Sequence, residues 1–311
     1  MNARTLKRLA AAFAVLVLVW AGLSLAHRAR RDTEPRLVLP SFDPKAVDHA
    51  LIVRGTDTLR FARVAAGWTV NGLRADASLV QTLLGSLADT SAPTELVSEK
   101  AATHAQLGLD SVHARRVSVI AGERVVTELL VGNQGMYGNA YVRRPGEDAV
   151  FQLRNSLAEV VGRPIDEWRD RTIVDVPPDS VAAIDVRAGR NRYTLTRTGT
   201  AWRLGSHPAD SALVASLLGR FHPLAADAFA TPAQADSARF TAAARTVRLL
   251  GARNRPLLAL HMDSTSTAVW ARRDGDSTTY RLDDYLANAL TPADTTLRQK
   301  PKATPKNHSS E

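Results

Sequence analysis

The 311-residue sequence contains no cysteine, so disulfides, thiolate metal sites and cysteine nucleophiles are excluded. Aromatic residues make up only 5% of the chain, which leaves few side chains for stacking on nucleotide bases. The net charge of +9 does not indicate nucleic-acid binding either, because eight of those charges lie in residues 1–36 and 296–311. The nearly neutral body between the ends gives no reason to expect a basic groove. We therefore expect no nucleic-acid partner.

Sequence motifs for catalysis are missing as well. The chain has no G-x4-G-K-[ST] phosphate loop, no H-E-x-x-H metal helix, no G-x-S-x-G nucleophile elbow and no Asp-rich calcium loop. Its histidines are scattered, and no two of them stand four residues apart. We therefore expect no catalytic residue, no metal site and no cofactor.

One hydrophobic run is long enough to cross a membrane. Residues 9–26, LAAAFAVLVLVWAGLSLA, carry no charged side chain and as a helix would span roughly 27 Å, close to the thickness of a bilayer core. We expect a single transmembrane helix there, after a cytoplasmic N-terminus at 1–8 and before a linker at 27–45. A cleaved signal peptide is the alternative, because small residues end the run. Basic residues flank both ends almost equally, so charge alone does not orient the chain.

The rest of the chain contains one pattern twice. ADASLVQTLLG at 75–85 returns as ADSALVASLLG at 209–219, and a tryptophan, Trp68 or Trp202, stands eight residues before the aspartate in each copy. Asp76 and Asp210 are typical N-cap residues for the leucine-rich helices that follow. Further on, YVRR at 141–144 matches WARR at 270–273, and FQL at 151–153 matches YRL at 280–282. The difference in residue number between matching positions changes by only a few residues along the two copies, which indicates a tandem duplication.

Each copy predicts hairpin strands, the capped helix, four more strands and a closing helix. Hairpin strands with segregated helices favour an α+β fold with antiparallel sheets, since parallel pairing would need crossover helices. We predict one α+β repeat at 46–169, a Pro-stiffened joint at 170–181, a second α+β repeat at 182–292 and a disordered tail at 293–311.

A glycine-rich segment, VGNQGMYGNAYVRR at 131–144, is the first candidate binding site. Gly132, Gly135 and Gly138 would present backbone N–H groups to an anionic ligand. The alternative is a plain hairpin loop in which Gly and Asn supply positive φ angles.

The second candidate is PIDEWRDRT at 164–172, where Trp168, Arg169 and Asp170 combine an aromatic ring with both signs of charge. Asp166 and Asp170 are the carboxylates that an enzyme would use for acid–base chemistry. The alternative is a solvated face at a joint between domains. We find no equivalent of this segment in the second copy.

Taken together, these segments resemble a bacterial family. The hydrophobic N-terminal helix, the tryptophan before the capped helix, LGLD at 107–110, and then ELLVG, AYVRR and FQL are similar to domain of unknown function 4340 over residues 48–292. The second copy lacks the Gly-Leu phrase, and our alignment sets Leu260-His261 against the ELLVG glycine. The resemblance implies an inner-membrane, single-pass protein with its body in the periplasm or extracytoplasmic space. It also implies an accessory role beside an ABC-type exporter, and it transfers no catalytic residues.

The sequence thus favours a non-enzymatic, membrane-anchored envelope protein that binds an envelope or ABC-transporter protein in a transport or surface-assembly complex. Two alternatives stay open. An envelope hydrolase acting on glycan or peptide would need a pocket that holds carboxylates, and a structural spacer would need none.

Overall fold

The computed structural model describes Trp20, residues 35–265 and residues 268–299. Apart from Trp20, the predicted transmembrane helix at 9–26 lies outside the described residues, as do residues 1–8 and residues 27–34 of the predicted linker. Among the residues described, no helix is long and apolar enough to cross a membrane. The chain divides into two compact units between Arg169 and Asp170.

The first unit is built around a nine-stranded antiparallel sheet. Its strands are β1 (His49–Arg54), β2 (Asp57–Val64), β3 (Gly67–Val70), β4 (Leu73–Arg74), β5 (Thr94–Ser98), β6 (Arg115–Ala121), β7 (Arg124–Gln134), β8 (Ala140–Arg143) and β9 (Val150–Leu153). They pair in the order β4-β3-β2-β1-β6-β7-β8-β9-β5. The unit's helices are α1 (Ala77–Ala88), α2 (Leu157–Gly162) and α3 (Ile165–Trp168), with 3-10 turns at Pro44–Ala46, Ala101–Thr103 and Met136–Gly138.

The second unit has a nine-stranded antiparallel sheet and a small two-stranded one. Its strands are β10 (Thr172–Val174), β11 (Ala183–Ala188), β12 (Asn191–Thr198), β13 (Ala201–Leu204), β14 (His207–Pro208), β15 (Leu224–Ala225), β16 (Ala228–Phe229), β17 (Arg245–Leu250), β18 (Pro256–Ser264), β19 (Val269–Arg273) and β20 (Tyr280–Leu282). The large sheet has the order β14-β13-β12-β11-β17-β18-β19-β20-β16, and β10 pairs with β15. The predicted joint at 170–181 therefore contributes a strand to this unit.

Helices of the second unit are short: α4 (Ser211–Gly219), α5 (Pro232–Ser237), α6 (Asp284–Leu290) and α7 (Asp294–Leu297), with 3-10 turns at Pro178–Ser180, Phe240–Ala242 and Ala252–Asn254. The predicted mixture of antiparallel sheets and few helices is confirmed. The two large sheets have equivalent strand orders when β11 is matched to β1 and β17 to β6.

Both predicted helix caps are present. The side chain of Asp76 accepts hydrogen bonds from the N–H groups of Ser78 and Leu79, at 2.8 and 3.2 Å. Asp210 caps α4 in the same way, with the N–H groups of Ala212 and Leu213 at 3.0 and 3.2 Å. Each cap satisfies backbone donors that a helix start leaves unpaired. Both helices then bury an apolar face, formed in α1 by Val80, Leu83, Leu84 and Leu87 and in α4 by Val214, Leu217 and Leu218.

The two tryptophans that precede these helices have like surroundings. Trp68 on β3 and Trp202 on β13 are both buried. Each lies under the guanidinium group of its cross-strand arginine: Arg63 is 4.7 Å from the Trp68 ring centre, and Arg197 is 5.8 Å from the Trp202 ring centre. Such cation–π contacts shield the outer side of each ring.

The end of the second unit corrects the predicted tail, which begins at 293. Residues 293–299 instead belong to the unit, because α7 buries Leu297 in its core. The carbonyl oxygen of Leu297 accepts the N–H of Asp210 at 2.9 Å, and Arg298 forms an isolated bridge with Ala209. Residues 300–311 lie outside the described residues.

The same segment also corrects the prediction that the second copy has no counterpart of 164–172. In the first unit the carbonyl oxygen of Trp168 accepts the N–H of Asp76 at 2.8 Å, and Arg169 forms a bridge with Ala75. Leu297 and Arg298 make the equivalent contacts in the second unit. The exchange of tryptophan for leucine hides this match in the sequence.

Candidate functional site

Gly132 lies in β7 beneath a turn at residues 107–110, which we call the Gly-Leu turn. A Cβ atom at Gly132 would overlap the carbonyl oxygen of Leu107 and would lie 2.8 Å from the Cγ atom of Leu109. The backbone N–H of Asn133 donates to that same Leu107 oxygen at 2.9 Å. Close packing of the turn on the sheet therefore accounts for Gly132.

Gly135 and Gly138 lie in the hairpin tip between β7 and β8. The N–H of Gly135 donates to the carbonyl oxygen of Asn139 at 2.7 Å, and Gly138 has a φ angle of 81°. At the tip, Tyr137 is 93% exposed and has a φ angle of 60°. These features are those of a tight hairpin loop.

The predicted residues Trp168, Arg169 and Asp170 do not form one site. Trp168 is fully buried and packs edge-to-face on Phe61, with ring centres 4.7 Å apart. Arg169 pairs with Asp166 at 3.3 Å. Asp170 begins the second unit, where its side chain accepts the N–H of Thr172 at 2.8 Å.

The Gly-Leu turn covers part of the outer face of the first sheet, opposite the helices. Leu109 joins Leu130 and Val150 in a small buried cluster on that face. The turn is fastened by Arg143, whose Nε and Nη2 atoms both donate to the carbonyl oxygen of Leu109 at 3.1 Å. A second apolar layer thus forms where the first sheet would otherwise be open.

Residues that pair directly across neighbouring strands form a row on one face of a sheet. The two sheets differ along one such row, which lies on the outer face at equivalent positions. The row in the first sheet is Thr58, Val53, Arg116, Leu130 and Arg143. The row in the second sheet is Arg192, Arg187, Thr246, His261 and Arg272. Apolar side chains of the first row are therefore replaced by ionisable ones.

An open groove of about 1210 Å³ lies over this second row. We call it the arginine groove, and its charged lining consists of Arg187, Arg192, Arg248, Arg272, Arg273, Asp185, Asp274, Asp276 and His261. Phe240, from the segment that precedes β17, borders the groove with its ring centre 4.4 Å from the guanidinium of Arg272. That segment is held at the sheet by the N–H of Arg239, which donates to Asp263 at 2.9 Å.

The acidic side chains of the groove are already engaged. Asp185 accepts the hydroxyl of Thr194 at 2.8 Å, and Asp274 lies 2.9 Å from the Nε2 atom of His261. By contrast, the guanidinium groups of Arg187, Arg192 and Arg248 make no hydrogen bond or ion pair within the described part of the chain. The groove therefore offers positive charge. This corrects the expectation of no basic groove, which followed from a net charge averaged over the whole body.

Asp276 closes one end of the groove as a fixed negative charge. Burial alone would raise the pKa of its carboxyl group. The N–H of Thr278 at 2.8 Å and the hydroxyl of Tyr280 at 2.9 Å, together with Arg273, outweigh burial and lower the pKa. Asp276 therefore stays ionised at neutral pH and holds the guanidinium of Arg273, at 3.9 Å, at this end.

Metal binding finds no support in the described ranges, where no three histidine, aspartate or glutamate side chains come close enough to share an ion. The pair of His261 and Asp274 has no third ligand of this kind within those ranges.

Comparison with known proteins identifies the family. The family model described as domain of unknown function (DUF4340) matches residues 68–242, more than half of the chain. The chain belongs to the DUF4340 family. No curated protein and no solved structure matches it.

The DUF4340 match is shorter than the 48–292 that the sequence resemblance predicts. It includes the Gly-Leu turn and the parts of the arginine groove that come from β11, β12 and Phe240. Strands β17 to β19, which carry His261 and Arg272, lie beyond it. The LGLD phrase at 107–110 has an architectural role in this chain, because it packs on part of the first sheet.

Alignment of the two copies missed the arginine groove because of a register error. It sets His261 against Gly132, whereas the sheet register sets His261 against Leu130 and Asp263 against Gly132. The paired residues Leu130 and Arg143 are 13 positions apart in the chain, whereas their equivalents His261 and Arg272 are 11 apart, so the connection is two residues shorter in the second copy. The alignment carries the offset of 129 that holds for YVRR and WARR back into β18, where the sheet register gives an offset of 131.

A signal for the groove was nevertheless present in the first strands. At a constant offset of 134, Leu51 and Val53 in β1 become Asp185 and Arg187 in β11. Alternate positions of a strand share a face, so this exchange marks one whole face as changed from apolar to charged.

Proposed function

We propose that this protein is a non-enzymatic, membrane-anchored binding protein of the envelope, and that its second unit binds a partner in the arginine groove. The observation that carries the proposal is the set of three arginines, Arg187, Arg192 and Arg248, whose guanidinium groups line one groove and form no hydrogen bond or ion pair with a described residue. Like charges gathered in one groove attract groups of the opposite charge.

The groove fits an origin by tandem duplication. Equivalent strand orders, equivalent aspartate caps and equivalent tryptophan–arginine stacks support one ancestral module copied once. In this account the first copy kept the Gly-Leu turn and serves as a covered, stable unit. The second copy lost the turn, and its exposed face acquired charged side chains for binding.

Anchoring would make a modest affinity sufficient. Residues 9–26 are the proposed inner-membrane helix, and the body would lie in the periplasm or extracytoplasmic space. A tethered site faces other membrane proteins at an effective concentration in the millimolar range. An accessory component of an ABC-type transport or surface-assembly complex gains its effect in this way, and family resemblance makes that complex our proposed partner.

The test compares three forms of the full-length protein. The groove variant carries Arg187→Gln, Arg192→Gln and Arg248→Gln. The control variant carries Arg124→Gln, Arg253→Gln and Arg255→Gln, which are exposed, lie outside the groove and remove the same charge. Each form is isolated from gently solubilised membranes, and the proteins that copurify are quantified.

We expect an envelope protein that is retained by the wild-type and control forms and that falls at least about tenfold with the groove variant, since each charged pair contributes up to about 1 kcal/mol. Identical copurifying proteins for all three forms would overturn the proposal. Recovery of no partner by any form would favour the structural spacer.

An envelope hydrolase is the second candidate, and one observation favours it. His261 and Asp274 form a histidine–carboxylate pair at 2.9 Å inside the groove, and Thr246 is the cross-strand neighbour of His261. The carboxylates first considered, Asp166 and Asp170, do not line the groove. Hydrolysis of peptide or glycan by the purified chain that disappears in His261→Ala but persists in the control variant would establish this activity.

A further inference from the structure

We infer that the arginine groove recognises an extended acidic peptide segment of its partner. This inference rests on the proposed binding function and specifies the chemistry of the ligand. Two features of the groove support it: the repulsion among its arginines and the distance over which the three arginines extend.

Arg187 and Arg192 are direct cross-strand partners on the hairpin of β11 and β12. Like charges in this position destabilise a sheet, and neither guanidinium pairs with a carboxylate among the described residues. A bound carboxylate would relieve the repulsion and form charge-assisted hydrogen bonds with both groups. Anion binding is therefore favoured at this pair, because it removes the repulsion between the two arginines.

Arg248 extends the positive region along the sheet. It lies on β17 opposite Asp185, whose carboxylate already accepts a hydrogen bond from Thr194. The guanidinium of Arg248 thus provides a third position for an acidic group. This position is displaced from Arg187 by two residues along β11, because Arg248 pairs with Asp185. Three separated positions call for a ligand with several carboxylates.

The three arginines extend beyond the reach of a single carboxylate. From Arg192 on β12 across β11 to Arg248 on β17 they cover two strand spacings, or about 10 Å. A peptide in extended conformation covers that distance with about three residues, at roughly 3.3 Å per residue.

The aromatic side chains of the groove favour a peptide over an acidic glycan. Sugar rings commonly stack on open aromatic faces, but both aromatic residues that line the groove are engaged. The ring of Phe240 is covered by the guanidinium of Arg272. The Tyr193 ring packs against the core, and its hydroxyl donates to the carbonyl oxygen of Pro292 at 2.8 Å.

The experiment measures binding of a fluorescent twelve-residue polyglutamate peptide to the full-length protein in detergent micelles. The wild-type, groove-variant and control-variant forms are compared by fluorescence anisotropy. Polyglutamine of equal length is the uncharged probe. Unlabelled polyglutamate and an oligogalacturonate of similar length and charge serve as competitors.

We expect polyglutamate to bind the wild-type and control forms alike and the groove variant at least about tenfold more weakly, with little binding of polyglutamine. Equal binding by the groove and control variants would overturn the inference, as would displacement by oligogalacturonate at a lower concentration than by polyglutamate. If polyglutamate fails while a copurifying partner is still lost with the groove variant, the acidic-peptide inference fails and the binding function stands. If neither depends on the groove, both fail.

Discussion

His261 on β18 occupies the position in the second sheet that Leu130 on β7 occupies in the first. Both are cross-strand neighbours of an arginine, Arg272 in one case and Arg143 in the other. Leu130 packs beneath the Gly-Leu turn, whereas His261 faces an open groove and pairs with Asp274. One architecture thus places an apolar residue beneath a turn in one unit and an ionisable residue in an open groove in the other.

Gly132→Ala tests the account of the Gly-Leu turn. The added methyl group would overlap the carbonyl oxygen of Leu107, so the turn must shift away from the sheet. We expect the free energy of unfolding to fall by about 1–3 kcal/mol, the usual cost of overpacking. Chemical denaturation measures the change, and hydrogen exchange should show faster exchange at the N–H of Asn133.

Gly85→Ala is the matched control for that substitution. Gly85 lies inside α1, and an added Cβ would contact nothing within 4 Å. We expect a small gain of about 0.5–1 kcal/mol, because alanine is the better helix former. Equal losses for both alanine variants would contradict the special role of Gly132.

The cap at Asp76 predicts a pH-dependent stability. Burial alone would raise the pKa of its carboxyl group, but hydrogen bonds from the hydroxyl and N–H of Ser78 and from the N–H of Leu79 lower it. The stabilisation is therefore fully present above the unfolded-state pKa of about 3.9 and is lost as the pH falls through the lower, folded-state pKa.

Substitutions at the cap separate charge from hydrogen bonding. Asp76→Ala should cost about 1 kcal/mol at neutral pH. Asp76→Asn keeps an acceptor for the helix N–H groups, so it should retain most of the cap and lose the pH dependence of this site. Denaturation of the three forms at pH 7 and in acid tests this. An unchanged acid response in Asp76→Asn would contradict the assignment.

Trp168 should be replaceable by phenylalanine. Its buried Nε1 atom has no hydrogen-bond partner in the described part of the chain, and its ring contributes the edge-to-face contact with Phe61. We expect Trp168→Phe to change the free energy of unfolding by no more than about 1 kcal/mol, whereas Trp168→Ala should cost about 3–5 kcal/mol. Losses of equal size would contradict this expectation.

Local signals in the sequence predicted much of the fold. Asp76 and Asp210 precede apolar residues at helical spacing, and each cap depends only on the next three residues. The antiparallel class followed from strands that are joined by short turns. These features are local, so one sequence suffices to find them.

Non-local packing explains what the sequence did not predict. Gly132 seemed a ligand-binding glycine because its neighbour, the turn at Leu107, lies 25 residues away in the chain. Leu297 was assigned to a disordered tail because its contact with Asp210 depends on the closed fold. His261 was misaligned because the connection from it to Arg272 is two residues shorter than that from Leu130 to Arg143. In each case the partner, rather than the residue itself, determines the role.

The absence of cysteine makes the predicted topology easy to test. A single Thr200→Cys change places a thiol in an exposed turn of the second unit, and Asn2→Cys places one before the hydrophobic run. In cells with an opened outer layer and an intact inner membrane, a membrane-impermeant maleimide should label Cys at 200 and spare Cys at 2 until lysis. The reverse order of labelling would contradict an extracytoplasmic body.

Site-specific photocrosslinking in living cells tests the central claim, that the second sheet binds a partner on its outer face and the first sheet does not on the equivalent face. A photoreactive amino acid is placed at Thr246 in the arginine groove or at Arg116, its equivalent in the first sheet. We predict a covalent adduct with an envelope protein from position 246 and none from position 116. Adducts of equal yield from both positions, or from neither, would contradict the account.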